Sequence, residues 1–424
     1  MSSPVLSSIP MVFVLTGIVL YAVLAGADFG AGFWTLFSGR GEHGLHIREE
    51  AHHSMGPVWE ANHVWLIFVL TVFWTAYPTA FGSIASTLAA PLFLAGLGIV
   101  LRGAAYALRS GASAPRENLV LDTVFSLSSI VTPFALGTMV GAIAGGRVLV
   151  GDDAGHRFTS WLSATSLFDG VLAVATAAYL AAVYLAADAT RREESELAGE
   201  FRQRALLTGV LAGGLAVVGL IVVHHDQHVL YHELLHGRAL PAVLVSAVAG
   251  VVALALVYWR RFEPARYVAA LAIAAVLIGW ALAQWPRVLP GLTIRQAAAP
   301  HDTLVAVIVA VLAGGAIVFP SIAWLFRLSL RGQFDPTSEV DAPRSPRPDT
   351  SLDALVPTTG RFALATLIAG IGLLTFANGH VAHAIGVAML LAFVATAFLA
   401  LVPALMPEPP ASPPVPGPDE SQPS

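Results

Sequence analysis

Asp28 is an acidic side chain within an apolar stretch of the chain, in the glycine-rich segment Gly26–Gly32. An ionisable group inside a membrane-spanning helix is energetically costly, so it indicates a functional site or a specific partner. Gly26 and Gly30 are four residues apart and would form a smooth helix face that a neighbouring helix can approach closely. Asp28 is therefore a candidate for proton transfer. The structural alternative is a capping or ion-pairing role near a helix end.

A second polar cluster lies at the start of the next apolar run, after the pair Gly56-Pro57, which suits a helix start. Glu60 would lie in the first turns, where the helix dipole stabilises a negative charge. His63 follows three residues later, so its imidazole can interact with the carboxylate. This pair is a candidate proton-relay element, or else part of a hydrogen-bonded cluster that fixes the helix start. The remaining polar and aromatic members of the cluster are Trp59, Asn62 and Trp65.

Arg102 is a cation deep within the third apolar run. Arg109, seven residues later, is expected to extend to the membrane surface. Arg102 lies deeper and needs a carboxylate or carbonyl partner, and Asp122, early in the following run, is a candidate. A structural ion pair is the favoured interpretation of this group.

A histidine-rich segment, 224–236, stands apart from these groups. If the segment is one helix, four of its imidazoles repeat at intervals of four residues and share one face. Side chains at that spacing can bind a transition metal. The alternative, which we favour, is a solvated segment at the membrane interface, because no strict zinc motif is present. The four histidines are His224, His228, His232 and His236.

The composition indicates which elements must position these side chains. The chain has 424 residues, of which 56% are hydrophobic and 12% charged. A soluble protein of this size could not cover its surface with so few charges. The absence of cysteine excludes disulfides, thiolate metal sites and iron–sulfur clusters. The net charge of −5, with no basic stripe, argues against nucleic acid as a partner.

The apolar runs predict an all-α, polytopic transmembrane helical bundle. About nine helices form a core in residues 1–330, with turns expected near Tyr77-Pro78 and Gly82-Ser83. A polar, proline-containing linker at 331–360 precedes two additional transmembrane helices in 361–405, and a disordered proline-rich tail occupies 406–424. The runs lie at 10–37, 57–82, 84–108, 118–143, 163–187, 205–223, 239–258, 267–285, 303–327, 361–378 and 381–405.

The distribution of arginine predicts the orientation of the bundle. Loops on one side carry sixteen arginines and those on the other side carry five. Cytoplasmic loops carry the positive excess, so the arginine-rich side is expected to face the cytoplasm. The N-terminus then faces the periplasm, and its first apolar run is expected to be a retained helix. The side of the C-terminus stays open, because the last two runs could be one bent segment or a hairpin.

These motifs resemble those of cytochrome bd oxidase subunit II. The segment Gly26–Gly32 is similar to the Gly-Phe-Asp-x-Gly-x-Gly of that family, and Pro57–Ile67 is similar to its Pro-x-Trp-Asp-Gly-Asn-x-Val-Trp-Leu-Ile. The resemblance covers about residues 10–328. The chain departs from the family pattern at Ala25, where an acid is common, and at Glu60, where aspartate is usual. Leu70-Thr71 replaces a common Gly-Gly pair, and 361–405 is an addition.

The resemblance implies a haem-free subunit of a quinol oxidase in a bacterial inner membrane. Its partner, subunit I, would carry haem b and haem d, or haem b only, and would bind quinol, while this chain binds no cofactor by itself. This chain would stabilise the complex and help to bring protons or oxygen to the haems, beside membrane lipid and a small accessory subunit. The implied proton-pathway residues are Asp28, Glu60 and His63, and the implied structural or charge-balancing residues are Trp59, Asn62, Trp65, Arg102 and Asp122.

Two other functional classes compete with this interpretation. Intramembrane acids would also suit a secondary transporter or channel, although the sequence lacks paired interrupted helices in corresponding halves. The 224–236 histidines would suit a metal-handling membrane protein. Haem absorption bands in the purified complex and metal analysis would distinguish these classes from the oxidase subunit.

Overall fold

A computed structural model of the chain describes residues 3–39, 44, 48, 59–109, 115–151, 156, 159–330, 362–363, 365–370, 373 and 380–405. The side chains of Trp59–Ala61 also lie outside this description. The chain forms two compact units, residues 1–327 and 328–424.

The first unit is a helical bundle, as the apolar runs predict. Eight of its helices are long and apolar enough to cross a membrane. A ninth, shorter apolar segment, Asn62–Ala76, completes the core spans among the described residues. The helices are α1 (Pro4–Leu36), α2 (Trp59–Ala76), α3 (Pro78–Thr87), α4 (Ala89–Arg109), α5 (Pro115–Ala144), α6 (Ala164–Arg191), α7 (Ser195–Asp226), α8 (His228–Leu235), α9 (Leu240–Tyr258), α10 (Phe262–Gln284), α11 (Ile294–Ala297) and α12 (His301–Leu330).

The turn predicted between the second and third apolar runs is confirmed at Tyr77-Pro78 and wrong at Gly82-Ser83. The helix breaks at Tyr77, because Pro78 has no N–H to continue the hydrogen-bond ladder and suits the first position of a new helix. The next break is at Leu88, whereas Gly82-Ser83 lies within α3. Tyr77 is fully buried and its hydroxyl donates to the Ser7 carbonyl at 2.6 Å, which ties this break to the start of α1.

A short antiparallel hairpin, which the apolar pattern does not predict, connects α10 to α11. Strand β1 (Arg287–Leu289) pairs with β2 (Leu292–Thr293), and the turn between them contains Gly291 with φ at +78°. Glycine adopts that conformation without steric cost. Thr293 and Gln296 then form a capping box that starts α11.

Helix α6 is the most buried span of the bundle and packs against α1, α5, α7 and α10. Its middle contains four alanines, Ala177, Ala178, Ala181 and Ala182, and such small residues let neighbouring helices approach closely. Gly30 of α1 packs directly on the Ala177 carbonyl, and the Trp34 indole donates to the Ala178 carbonyl at 2.9 Å. This contact fixes α1, and with it Asp28, against the centre of the bundle.

In the second unit the structure describes a helix, α13 (His380–Leu405), and short helical pieces within 362–373. The apolar part of α13 spans Ala384–Phe393. The predicted linker 331–360 and tail 406–424 lie outside the described residues. The division into a core, a linker and an added helix pair therefore stays a prediction.

Candidate functional site

Helices α1, α2 and α4 bring three polar side chains together inside the bundle. Asn62 donates from its side-chain amide to the Asp28 carboxylate, and Arg102 Nη2 donates to the main-chain carbonyl of Asp28 at 2.9 Å. Asp28 is 6% exposed, and Asn62 and Arg102 are each 2% exposed. These residues are separated by 34 and 74 positions in the sequence, so only the helix packing assembles them. We call them the Asp28 cluster.

The guanidinium of Arg102 is held between two aromatic rings. Its central carbon lies 4.9 Å from the centroid of Phe29 and 5.0 Å from that of Phe125. Aromatic faces attract a cation, and the attraction is stronger where water is excluded. The two rings and the Asp28 carbonyl together offset part of the cost of burying this charge.

Aromatic rings also enclose His63, the imidazole next to the cluster. The ring centroids of Tyr21 and Phe29 lie 6.0 and 6.1 Å from that of His63, and both rings meet the imidazole edge-on. Tyr21 and Phe29 are themselves buried, at 7% and 2% exposed. His63 is thus packed against aromatic rings on two sides.

Of the other predicted residues in this region, Trp65 has a described side chain, and Trp59 and Glu60 do not. Trp65 is partly buried and packs against the group formed by Tyr21, Ala25 and Phe29. Trp59 and Glu60 belong to the first turn of α2, but their side chains lie outside the described part of the chain. The proposed contact between Glu60 and His63 therefore stays a prediction.

The structure corrects the expected partner of Arg102. Asp122 pairs with Arg109, whose Nη1 lies 2.9 Å from the Asp122 carboxylate, at the junction of the end of α4 and the start of α5. Both side chains of this pair are partly exposed. Arg102 lies two turns deeper and uses the Asp28 carbonyl instead. The reason is that the start of α5 packs against the end of α4, which brings Asp122 to Arg109.

The histidine segment does not form one helix with a continuous imidazole face. The helix breaks at Gln227, which has φ −143° and ψ 77°, so the segment is divided between α7 and α8. The imidazoles form two stacked pairs: His224 with His228, at 4.9 Å between centroids, and His232 with His236, at 5.2 Å. Over the described residues, no group of three histidine or acidic side chains is placed to hold a metal ion.

Asp169 is an embedded acid that the sequence analysis missed. It lies within the span Ala164–Arg191, on the second turn of α6, and is only partly exposed. The sequence could have identified it, because Asp169 is the single acid in the predicted run 163–187. An ionisable residue within an apolar run indicates a functional site or a specific partner, as it does for Asp28.

Comparisons with known proteins identify the family to which this chain is similar. The family model described as cytochrome bd terminal oxidase subunit II matches residues 6–329. The cytochrome bd ubiquinol oxidase subunit 2 of Bacillus subtilis (strain 168) is 28% identical over 38% of this chain and 47% of the relative. The cytochrome bd-I ubiquinol oxidase subunit 2 of Escherichia coli (strain K12) is 27% identical over 32% of this chain and 35% of the relative.

The matched regions span less than two thirds of the length of these curated relatives. Among solved structures, a chain of the bd oxidase from Geobacillus thermodenitrificans superposes with a TM-score of 0.61 and 24% identity. The match covers 77% of this chain and 99% of that chain. This likeness supports the helical fold of the first unit.

Proposed function

The chain belongs to the cytochrome bd terminal oxidase subunit II family, and we propose that it is the haem-free subunit of a quinol oxidase that reduces oxygen to water. Subunit I is its proposed partner and carries haem b and haem d, or haem b only, together with the quinol site. The complex is proposed to lie in a bacterial inner membrane, with the N-terminus of this chain on the periplasmic side. The arginine excess on the opposite loops supports this orientation.

The observation that carries the proposal is the buried Asp28 cluster. Reduction of oxygen to water consumes protons, and they must cross a region from which water is excluded. Acids retained inside a membrane bundle mark proton relays. We assign to Asp28 the role of holding and passing a proton from the cytoplasmic side. Asn62 orients the carboxylate, and Arg102 balances its charge.

The packing of His63 beside the Asp28 cluster supports its assignment to the same proton pathway. The rings of Tyr21 and Phe29 contact His63 edge-on, and Phe29 also packs against the Arg102 guanidinium. The proposed role of His63 is in the proton pathway with Asp28 and Glu60, and the haems are assigned to the partner because the chain belongs to the subunit II family.

Replacement of Asp28 by asparagine tests the proton role. Asp28→Asn keeps the size of the side chain and the main-chain carbonyl that Arg102 contacts, but it removes the carboxyl group that can bind and release a proton. We expect the complex to assemble with its full haem spectrum, and quinol-driven oxygen uptake to fall at least about tenfold. The control is Asp188→Asn, since Asp188 pairs with Arg266 at 3.0 Å, outside the cluster. This control should retain normal uptake.

Two results would contradict the proton role. Unchanged uptake by Asp28→Asn would show that Asp28 carries no proton during turnover. Loss of the haem-bearing partner would assign Asp28 a structural role. The subunit assignment itself is tested by mild-detergent purification of the tagged chain from its native membrane, followed by a reduced-minus-oxidised spectrum. A sample without haem bands, from membranes that contain the partner, would overturn it.

A further inference from the structure

Asp169 is an acid within a membrane span that the Asp28 cluster does not use. It lies five residues after Ala164, or about 7.5 Å along the axis of α6. Within the described residues, its carboxylate takes part in no hydrogen bond or ion pair. An unpaired carboxylate is expensive to place in hydrocarbon, whereas the protonated carboxyl is not charged.

Helix α5 has two glycines, Gly137 and Gly141, where it faces this acid. A Cβ atom added to Gly141 would lie 2.9 Å from Asp169 Oδ2, and one added to Gly137 would lie 2.6 Å from the Asp169 carbonyl oxygen. Real Cβ atoms do not approach neighbours so closely. The two glycines therefore form a slot between α5 and α6, and the carboxylate occupies it.

A column of polar groups leads from this slot to the exposed ends of the helices. Thr165 lies one turn before Asp169 on the same face of α6, and its hydroxyl donates to Asp226 Oδ2 at 2.6 Å. The other oxygen of Asp226 pairs with Arg147 at 2.7 Å. The Arg147 and Asp226 side chains are 40% and 23% exposed, so this end of the column reaches water.

The surroundings of Asp169 identify its charged neighbours. Arg147 follows α5 and Asp226 ends α7, and both lie at the exposed end of the column. The next contact of α7 with this turn of α6 is apolar, between Gly219 and the Phe168 ring. The last turn of α7 also carries His224 and His225, which contact each other, and His224 stacks on His228. The ionisable groups of α1 and α10 lie elsewhere. Asp28 and Tyr21 lie in or beside the Asp28 cluster, and Glu263, Arg266 and Tyr267 lie at the opposite end of α6.

We propose that Asp169 is a second membrane-embedded proton-binding site, which exchanges protons with the aqueous phase on the side of the Arg147–Asp226 pair. Water that enters beside this pair would meet the Thr165 hydroxyl and then the carboxyl in the glycine slot. The site is separate from the Asp28 cluster, because it uses α5, α6 and α7 rather than α1, α2 and α4. Under the orientation proposed above, it communicates with the periplasm.

Dicyclohexylcarbodiimide, an apolar reagent for embedded carboxyls, tests the site in the complete complex in sealed vesicles. The protonated carboxyl adds across the carbodiimide and rearranges to a stable N-acylurea with no leaving group. Mass spectrometry should locate the adduct on Asp169. The adduct yield should fall about tenfold per pH unit at alkaline pH, because only the protonated form reacts. Only the pH on the side of the Arg147–Asp226 pair should have this effect.

Vesicle orientation can be measured independently, because the chain has no cysteine. Leu149→Cys places one thiol on an exposed residue beside Arg147, where an impermeant maleimide reports the side. Asp169→Asn should abolish the adduct, and Asp188→Asn should retain it. No adduct on Asp169, a yield that is independent of pH, or a yield that follows the pH of the opposite side would each overturn the proposal. The readout is adduct mass, so it stands apart from the oxidase assay.

Discussion

The contact of α1 with α6 at Gly30 is the packing feature on which the position of Asp28 most directly depends. A Cβ atom at residue 30 would collide with the Ala177 carbonyl oxygen and lie 2.5 Å from its carbon and 2.6 Å from Ala181 Cβ. Carbon atoms pack at about 3.5–4.0 Å, so Gly30→Ala must separate the helices by about 1 Å. Overpacking of this kind typically costs about 1–3 kcal/mol, and a backbone neighbour cannot relieve it by a rotamer change.

Alanine has a more favourable helix propensity than glycine by about 1 kcal/mol, and this gain offsets part of the overpacking cost. The net destabilisation expected for Gly30→Ala is therefore about 2 kcal/mol at the upper end of the overpacking range. The shift should also lengthen the hydrogen bond from Trp34 to the Ala178 carbonyl, which is 2.9 Å in the native packing. Asp28 would move with α1, so quinol-driven oxygen uptake should fall as well.

The assay is thermal unfolding of the detergent-purified complex, compared with the control Gly213→Ala. Gly213 lies within α7, and no other part of the described chain lies within 4 Å of a Cβ added there, so the control receives the helix-propensity gain without the collision. We expect a lower unfolding midpoint for Gly30→Ala and an unchanged or slightly higher midpoint for Gly213→Ala. Equal midpoints for the two variants would refute the close crossing at Gly30.

Two further predictions address the buried polar groups. Arg102→Met should destabilise the complex by about 3–5 kcal/mol, because it removes one member of a buried charged set. The double variant Asp28→Asn/Arg102→Met should recover part of this loss in thermal unfolding, and a purely additive loss would contradict charge balance within the Asp28 cluster. Tyr77→Phe should cost about 1 kcal/mol, because it removes the hydrogen bond to the Ser7 carbonyl. Tyr179→Phe should cost almost nothing, since that hydroxyl is buried without a hydrogen-bond partner among the described residues, and similar midpoints for the two tyrosine variants would argue against this.

The spans of the bundle could be predicted from the sequence because the thickness of the hydrocarbon layer fixes the length of an apolar run. The cost of burying a charge in a membrane span identified Asp28 and Arg102 as individual candidate residues. The pairing of these residues could not be predicted, because it depends on how α1, α2 and α4 pack. Asp122 illustrates this limit, since its pairing with Arg109 follows from the packing of α5 against α4.

Local breaks in the helices are a second feature that the sequence pattern does not predict. The histidine periodicity at 224–236 has a helical repeat, yet Gln227 interrupts the backbone and divides the imidazoles into two pairs. The Gln227 amide donates to the Gly145 carbonyl at 2.7 Å, a contact with the end of α5 that accompanies the break. Such a contact joins residues 82 positions apart, so a local pattern contains no signal for it.

The charged residues of the bundle fall into two kinds, partly exposed ion pairs at the helix ends and buried charges in the interior. The pairs Arg109–Asp122 and Arg147–Asp226 join helix ends and are partly exposed, where an ion pair contributes about 0–1 kcal/mol and its partners can instead be hydrated. Arg102 and Asp28 lie where hydration is absent, and replacement of a buried charged pair by apolar residues is often neutral or stabilising. Stability alone therefore gives little reason to bury these charges. Their burial supports the proposed transfer of protons, in which an acid would lie at a position that water does not reach.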